Sequence, residues 1–120
     1  MPFGLPDAQW ETVAGEMREI LTECARRRCT ITYGDLARSI GAARLEPRSQ
    51  RFAALLGAAC TFEDSEGRPM IGSLVVRKDT GIPGAGYFRV ARDLRRDVDD
   101  ERAFWQTEVE KVYAYWNEEV

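Results

Sequence analysis

Three cysteines and the lack of any histidine limit the chemistry that this chain could do. The thiols are Cys24, Cys29 and Cys60. Without histidine, a serine or cysteine nucleophile has no imidazole base, and a metal has no imidazole ligand. The cysteines form no CxxC motif, and Cys24 and Cys29, five positions apart, are expected on different faces of a helix. We therefore expect three unreactive thiols in a reducing cytoplasm, no metal and no cofactor.

Carboxylates are the remaining candidates for acid–base chemistry. The 20 acidic residues stand mostly in helical or terminal charge runs, where a solvated surface is the simpler interpretation. An enzyme with an unfamiliar carboxylate site stays open as a third functional alternative. No apolar run approaches the roughly 20 residues needed to cross a bilayer, so we expect no membrane partner. Met1–Pro6 lacks the basic start of a secretory signal, so we expect a cytoplasmic protein.

The net charge of −3 conceals a segregated pattern. Residues 1–23 carry one basic and five acidic side chains, and residues 97–120 carry two basic and eight acidic ones. Between them, residues 24–96 carry fourteen basic and seven acidic side chains. The basic middle could be a phosphate-binding face, or it could neutralise the acidic ends where helices pack together. Charge alone leaves both interpretations open.

Hydrophobic spacing predicts the first elements that must position these groups. Apolar residues recur every three or four positions from Trp10 to Ala25, which predicts an amphipathic helix capped by Asp7. The cations Arg26–Arg28 suit the end of that helix, although contact with DNA is the alternative. A brief strand is predicted over Cys29–Thr32.

Two further helices and a hairpin are predicted after this strand. Thr32 can cap a short helix, and the apolar run that follows the polar turn 63–69 predicts a strand. The predicted ranges are Tyr33–Ile40 and Arg48–Cys60 for the helices, Met70–Val76 and Tyr87–Val90 for the strands, Lys78–Gly86 for the turn, and a last helix from Asp99 or Asp100. The expected buried side chains are Trp10, Leu21, Leu36, Phe52, Leu56, Leu74, Val76 and Val112.

This order of elements is that of a winged helix-turn-helix, in which the second helix usually meets nucleic acid. The predicted fold class is α+β. We expect one winged helix-turn-helix-like domain over residues 1–120, with an N-terminal and a C-terminal amphipathic helix and a small β-hairpin.

The stretch Ile31–Gly41, ITYGDLARSIG, resembles the start of the winged-helix domain in O6-alkylguanine-DNA alkyltransferases and alkyltransferase-like proteins. A TYG-(D/E)-(L/I)-A stretch is typical there. The next helix also follows a proline and an arginine-bearing stretch, as in that family. Ile71–Phe88 resembles the active-site strand of the family and the glycine-tyrosine turn after it. The resemblance implies a fold that binds DNA.

The catalytic motif of that family, Pro-Cys-His-Arg-Val, is missing. When Val75–Val76 is aligned with the valines of the motif, Gly72 takes the place of the cysteine and Ser73 that of the histidine. Suicidal alkyl transfer needs the thiolate and its activating imidazole, so the resemblance implies a protein that is not an enzyme. Cys60, on the preceding helix, has no histidine partner and is no substitute.

The outer face of the second predicted helix carries small residues. Alanine and glycine do not read bases, but they let a backbone approach a partner closely. In the alkyltransferases such a helix enters the minor groove with one intruding arginine, and the resemblance makes Arg51 the candidate. The alternative is that Ala54, Gly57 and Ala58 pack against the first or the last helix. Likewise, Asp79–Tyr87 could be an anion-binding nest or a structural turn.

The leading functional hypothesis is non-catalytic binding of DNA through this face. The alternative is a protein-interaction module, an adaptor or an immunity-type protein, whose acidic surface binds a basic partner. The candidate nucleic-acid-binding residues are Tyr33, Arg44, Arg48, Gln50, Arg51, Ala54, Arg77, Lys78, Gly84 and Gly86, with Gly81–Gly86 as the wing.

Overall fold

The computed structural model describes residues 7–41 and 44–118. Met1–Pro6, on which the expectation about a signal peptide rests, lies outside them. Within the described part the chain is mostly helical, with one small sheet. In chain order the elements are α1 (Asp7–Arg26), β1 (Ile31–Thr32), α2 (Tyr33–Ser39), α3 (Gln50–Ser65), a 3-10 helix (Ile71–Leu74), β2 (Val75–Val76), α4 (Ala85–Asp93) and α5 (Glu101–Glu118).

Side-chain caps fix the starts of three helices. The Thr32 hydroxyl accepts the N–H of Asp35 at 3.1 Å, which confirms the predicted cap of α2. The Ser49 hydroxyl accepts the N–H of Phe52 at 3.1 Å, so α3 begins two residues after the predicted Arg48. Asp100 accepts the N–H of Ala103 and caps α5. Each cap satisfies one of the backbone donors that a helix leaves open.

The sheet consists of two short parallel strands. Ile31 pairs with Val75 and Thr32 with Val76. The strand predicted over Met70–Val76 is therefore mostly wrong, because Ile71–Leu74 forms a 3-10 helix before β2. The whole run is buried, and a buried apolar run cannot be distinguished from a short helix by its periodicity.

The predicted β-hairpin is absent from the described residues, since Tyr87–Val90 lies inside α4. Tyr87, Phe88 and Ala91 are buried on one side of this helix, at helical rather than alternating spacing. The wing predicted over Gly81–Gly86 is also wrong, because Gly81–Gly84 is a loop and Gly86 is in the first turn of α4. The observed fold is thus a small, mostly helical α+β fold with a two-stranded parallel sheet.

The second half of α3 extends past its predicted end at Cys60 into the predicted polar turn. Glu63 is in the helix and is 1% exposed. Its carboxylate accepts a hydrogen bond from Arg18 of α1 at 2.9 Å and another from Arg68. A buried carboxylate held between two guanidinium groups is compensated for its lost hydration, which explains why a polar sequence can continue a buried helix.

The core confirms six of the eight expected buried side chains and corrects two. Leu21, Leu36, Phe52, Leu74, Val76 and Val112 are at most 6% exposed. Trp10 and Leu56 are only half-buried. On α3 the fully buried leucine is Leu55, at 1% exposed, and Leu56 lies at the edge of the core face. Leu56 instead borders the pocket described next.

Candidate functional site

A pocket of about 390 Å³ opens between α3 and α4. Small side chains of α3 form one wall and the first turns of α4 form the other. The walls are mainly apolar. The lining residues are Tyr33, Ala53, Ala54, Leu56, Gly57, Cys60, Gly72, Gly86, Tyr87, Arg89 and Val90.

The floor of the pocket is made by Cys60 and Gly72. A Cβ atom built on Gly72 would lie 2.6 Å from the Cys60 sulfur, so the sulfur fills the space in which a side chain at position 72 would start. Cys60 is 3% exposed. Burial raises the pKa of the Cys60 thiol from its ordinary value of 9.0 to about 12. The thiol is therefore protonated and weakly nucleophilic at neutral pH.

Buried hydrogen bonds connect Tyr87, Ser73 and Trp105 next to Gly72 of the floor. The hydroxyls of Ser73 and Tyr87 share a hydrogen bond of 2.6 Å, and the indole N–H of Trp105 donates to the Ser73 carbonyl at 2.7 Å. Burial raises the pKa of Tyr87 well above its usual range, so its hydroxyl stays protonated. Ser73, which aligns with the histidine of the alkyltransferase motif, is thus satisfied by its neighbours and is fully buried.

Tyr33 connects the start of α2 to the start of α4. Its hydroxyl accepts the backbone N–H of Gly84 at 2.9 Å, and its ring meets Phe52 edge-on at 6.3 Å. Burial raises the pKa of Tyr33, and the hydrogen bond from Gly84 opposes that effect. Gly84 caps α4 without a side chain, and a Cβ there would meet the Tyr33 oxygen at 3.5 Å. Of these two predicted site residues, Tyr33 lines the pocket and Gly84 is linked to it through Tyr33.

The turn before α4 is closed by its own backbone. The N–H of Arg77 donates to the Ile82 carbonyl and the N–H of Gly81 to the Arg77 carbonyl, both at 2.9 Å. Gly81 has φ 75°, a conformation that favours glycine. Asp79 holds the Arg77 side chain by two hydrogen bonds, at 3.0 and 2.8 Å. Of the two interpretations of Asp79–Tyr87, these contacts describe a structural turn.

Within the small-residue face of α3, Gly57 packs against α4. A Cβ on Gly57 would lie 3.5 Å from Val90, and Ala54 borders the open part of the pocket. Ala58 is exposed and does not line it. The expected helix-to-helix packing is thus partly correct, but its partner is an element that the sequence had predicted to be a strand.

The ten predicted site residues divide into two groups. Tyr33, Ala54 and Gly86 line the pocket, and Gly84 borders it through Tyr33. Gln50 lies one turn before Ala54 on α3, so the exposed N-terminal end of the helix leads towards the pocket. The remaining positions are not among its lining residues: Arg44, Arg48 and Lys78 are exposed, Arg51 is half-buried and Arg77 is paired with Asp79.

Several residues that line the pocket are not among the site residues predicted from the sequence. Arg89 and Val90 belong to the predicted returning strand, and Cys60 is predicted to be an unreactive thiol. Helical spacing of Tyr87, Phe88 and Ala91 after a helix-starting glycine was the available signal. The contact between Gly72 and Cys60 had none, because it joins two positions through the tertiary fold.

Ion pairs neutralise much of the positive charge of the basic middle segment, residues 24–96. Among the residues that the structure describes, at least eight of its fourteen basic side chains pair with a carboxylate, and five of these pair with a carboxylate of the acidic end segments. This supports internal neutralisation for that part of the charge. Arg96 contacts two carboxylates, Asp64 at 2.8 Å and Glu108 at 3.2 Å. The eight are Arg26, Arg27, Arg28, Arg38, Arg68, Arg77, Arg92 and Arg96.

The buried carboxylates are structural partners. Glu108 is 1% exposed, accepts the N–H of Met70 at 2.9 Å and pairs with Arg96. Glu63 is held by Arg18 and Arg68 as described above. Among residues 7–41 and 44–118, no group of three or more cysteine or carboxylate side chains could hold a metal ion. No helix in the same ranges has the length and apolar character to span a bilayer.

Comparison of the chain with protein-family models, with curated proteins and with solved structures gives no match.

Proposed function

We propose that this domain binds nucleic acid, with DNA preferred, and that it does so without catalysis. The observation that carries the proposal is the pocket between α3 and α4. Its volume of about 390 Å³ is in the range of small-molecule sites, and its apolar walls include Tyr33 and Tyr87. An unpaired base is bound outside its stack by apolar and aromatic walls of this kind. Arg89 lines the same pocket and is exposed to solvent.

The resemblance of Ile31–Gly41 to alkyltransferase-like proteins favours DNA as the source of such a base. It also gives the reason for binding without transfer, because Gly72 stands where the family has its nucleophile. The buried Cys60 thiol is protonated at neutral pH and has no histidine beside it. The proposal includes that α2 and α3 meet DNA as the two helices of a winged helix-turn-helix. It also includes the cytoplasmic location expected from the sequence.

Three exposed cations on or next to the helices that form the pocket support contact with phosphates. Arg48 precedes α3, Lys78 lies in the turn before α4, and Arg89 is on α4. Within the part of the chain that the structure describes, none of these three forms an ion pair. Such contacts would fix the position of the domain on DNA more than they would read sequence.

Fluorescence anisotropy on two matched duplexes tests this function. One duplex is fully paired, and the other carries a single mismatch, which lowers the cost of extruding a base. We expect tighter binding to the mismatched duplex. Ala54→Leu should remove that preference by filling the pocket, and Ala58→Leu, on the exposed side of the same helix, should keep it.

Three results would count against this proposal. Equal affinity of the unmodified protein for both duplexes would remove the role of the pocket. A preference that survives Ala54→Leu would place base recognition elsewhere. No binding at low salt with tens of micromolar protein would overturn nucleic-acid binding altogether, because even non-specific binders reach this range.

A second candidate is a protein-interaction module with a basic partner. Phe62 is 48% exposed, and the guanidinium groups of Arg18 and Arg68 lie 5.7 and 5.4 Å from its ring. Aromatic and arginine side chains are enriched at protein interfaces, and the acidic terminal segments suit a basic partner. A pull-down from source-cell lysate, with and without nuclease, separates the candidates. A partner retained after nuclease treatment and lost on Phe62→Ala would favour this one.

A further inference from the structure

The chain reverses direction directly after α1 and brings Cys29 back onto Cys24. The N–H of Cys29 donates to the Cys24 carbonyl, and that of Arg28 to the Ala25 carbonyl, both at 3.1 Å. Arg28 has φ 54°, in the left-handed region that commonly ends a helix. The expectation that the two cysteines lie on different faces is wrong, because Cys29 is no longer in the helix.

The two sulfur atoms face each other in this turn. They are 2.8 Å apart, and the Cys24 thiol also donates to the Cys29 carbonyl at 3.0 Å. A disulfide needs the sulfurs at about 2.05 Å and the side chains directed towards each other. The turn meets the second condition, and a small movement of either side chain would meet the first.

The thiols differ in their access to solvent. Cys24 is 7% exposed, whereas Cys29 is exposed. Burial raises the pKa of Cys24 to about 12, and the nearby Arg27 opposes that effect. Arg28 lies over the ring of Tyr113 at 5.6 Å and beside Glu110, so one side of the turn is covered by α5. A reagent in solution can therefore reach Cys29 and not Cys24.

We propose that Cys24 and Cys29 form a reversible dithiol–disulfide site that exchanges with small disulfides such as oxidised glutathione. Cys29 is the attacking thiol and Cys24 the resolving thiol. This inference does not depend on nucleic-acid binding. A dithiol of this kind in a reducing compartment would be oxidised transiently, as redox-sensing pairs are.

The exchange has two balanced steps. The Cys29 thiolate attacks one sulfur of the small disulfide, forms a mixed disulfide and releases one thiolate, which takes up the proton that Cys29 lost. Cys24 then loses its proton and attacks the Cys29 sulfur. The second small thiolate leaves and takes up that proton. Two protein thiols are oxidised to one disulfide, and one small disulfide is reduced to two thiols.

The experiment uses the whole protein with oxidised glutathione, followed by blocking of free thiols under denaturing conditions and tryptic mass mapping. Trypsin cleaves after Arg26, Arg27 and Arg28, so the two cysteines fall in different peptides. These peptides stay joined only if the bridge has formed. We expect the joined pair, with the loss of two hydrogen atoms, and a blocked, reduced Cys60.

Single variants separate the two roles. In Cys24→Ser the glutathione adduct on Cys29 should accumulate at least about tenfold over the unmodified protein, because nothing resolves it. In Cys29→Ser neither bridge nor adduct should form. Cys60→Ala should behave as the unmodified protein does.

Results on the unmodified protein alone can overturn the proposal, whatever the folding of the variants. A lasting glutathione adduct on Cys29 without a bridge would do so, because Cys24 would then not resolve it. So would disulfide-linked dimers, a bridge that includes Cys60, or three free thiols after treatment with excess oxidised glutathione.

Discussion

A methyl group on Gly72 would lie 2.6 Å from the sulfur of Cys60. Both positions are buried, so the Cys60 side chain must shift to admit this methyl group. Gly72→Ala should therefore lower the free energy of unfolding by about 1–3 kcal/mol through overpacking. In Cys60→Ala/Gly72→Ala the space is vacated. The double variant should then be more stable than the sum of the single effects by at least about 0.5 kcal/mol. Urea denaturation of the four proteins measures this coupling, and additive effects would contradict it.

The buried thiol of Cys60 should also make stability depend on pH. Burial raises its pKa from 9.0 to about 12, so the folded state favours the protonated form. This contribution is fully present below about pH 9 and is lost as the pH rises towards 12. The stability difference between the unmodified protein and Cys60→Ala should change in that direction over this range in denaturant titrations. A constant difference would show that burial does not raise the pKa of the Cys60 thiol.

Adjacent leucines on α3 should respond very differently to truncation. Leu55 is 1% exposed in the core, so Leu55→Ala should cost about 2–5 kcal/mol. Leu56 borders the pocket and is half-buried, so Leu56→Ala leaves less of a closed cavity and should cost about 1 kcal/mol. Thermal or urea unfolding measures both variants. Equal costs would mean that the phase of the helix is wrong.

Alkylated DNA should leave all three cysteines unmodified. In the alignment with the alkyltransferase motif, Gly72 stands at the position of the nucleophile, and the Cys60 thiol is protonated at neutral pH. Intact-mass measurement after incubation checks this, with iodoacetamide labelling of the exposed Cys29 as a positive control for thiol detection. A stoichiometric mass increase from the DNA on any thiol would contradict the prediction.

The cations of the proposed DNA surface should act through released counterions. Arg48→Ala and Arg89→Ala should each weaken binding and reduce the slope of log affinity against log salt by about one unit. Lys111→Ala removes an equal charge from the exposed side of α5 and serves as the matched control. If Lys111→Ala lowers the slope as much as the arginine variants do, the charge effect is not localised to this surface.

The parts of the fold that are set by local sequence were predictable. The cap at Thr32 and the apolar stripe of α1 each follow from neighbouring residues. The second half of the chain was predictable in its burial but not in its geometry. A buried run such as Met70–Val76 carries no periodicity that separates a strand from a 3-10 helix. Tyr87–Val90 by itself is too short to show whether its period is two or 3.6, and the helical spacing becomes visible only when Ala91 is included.

The site was predicted only in part for the same reason. Tyr33 and Gly84 were named from a local motif and from a turn, and their contact joins positions 51 apart. The contact of Cys60 with Gly72 and that of Cys24 with Cys29 depend on where the backbone turns. Arg28, which takes a left-handed conformation after α1, has no local sequence mark of that turn.

The hydrogen bond from Gly84 to Tyr33 has a kinetic consequence for the pocket. It joins the starts of α2 and α4 through Tyr33, which lines the pocket, so we expect the pocket to keep its shape before anything binds. A ligand that enters such a preorganised opening spends little of its binding free energy on ordering the protein. Association should then follow a single step whose rate is proportional to ligand concentration, without the plateau that a preceding opening motion would impose. Tyr33→Phe removes this hydrogen bond and should introduce that plateau in the observed association rate.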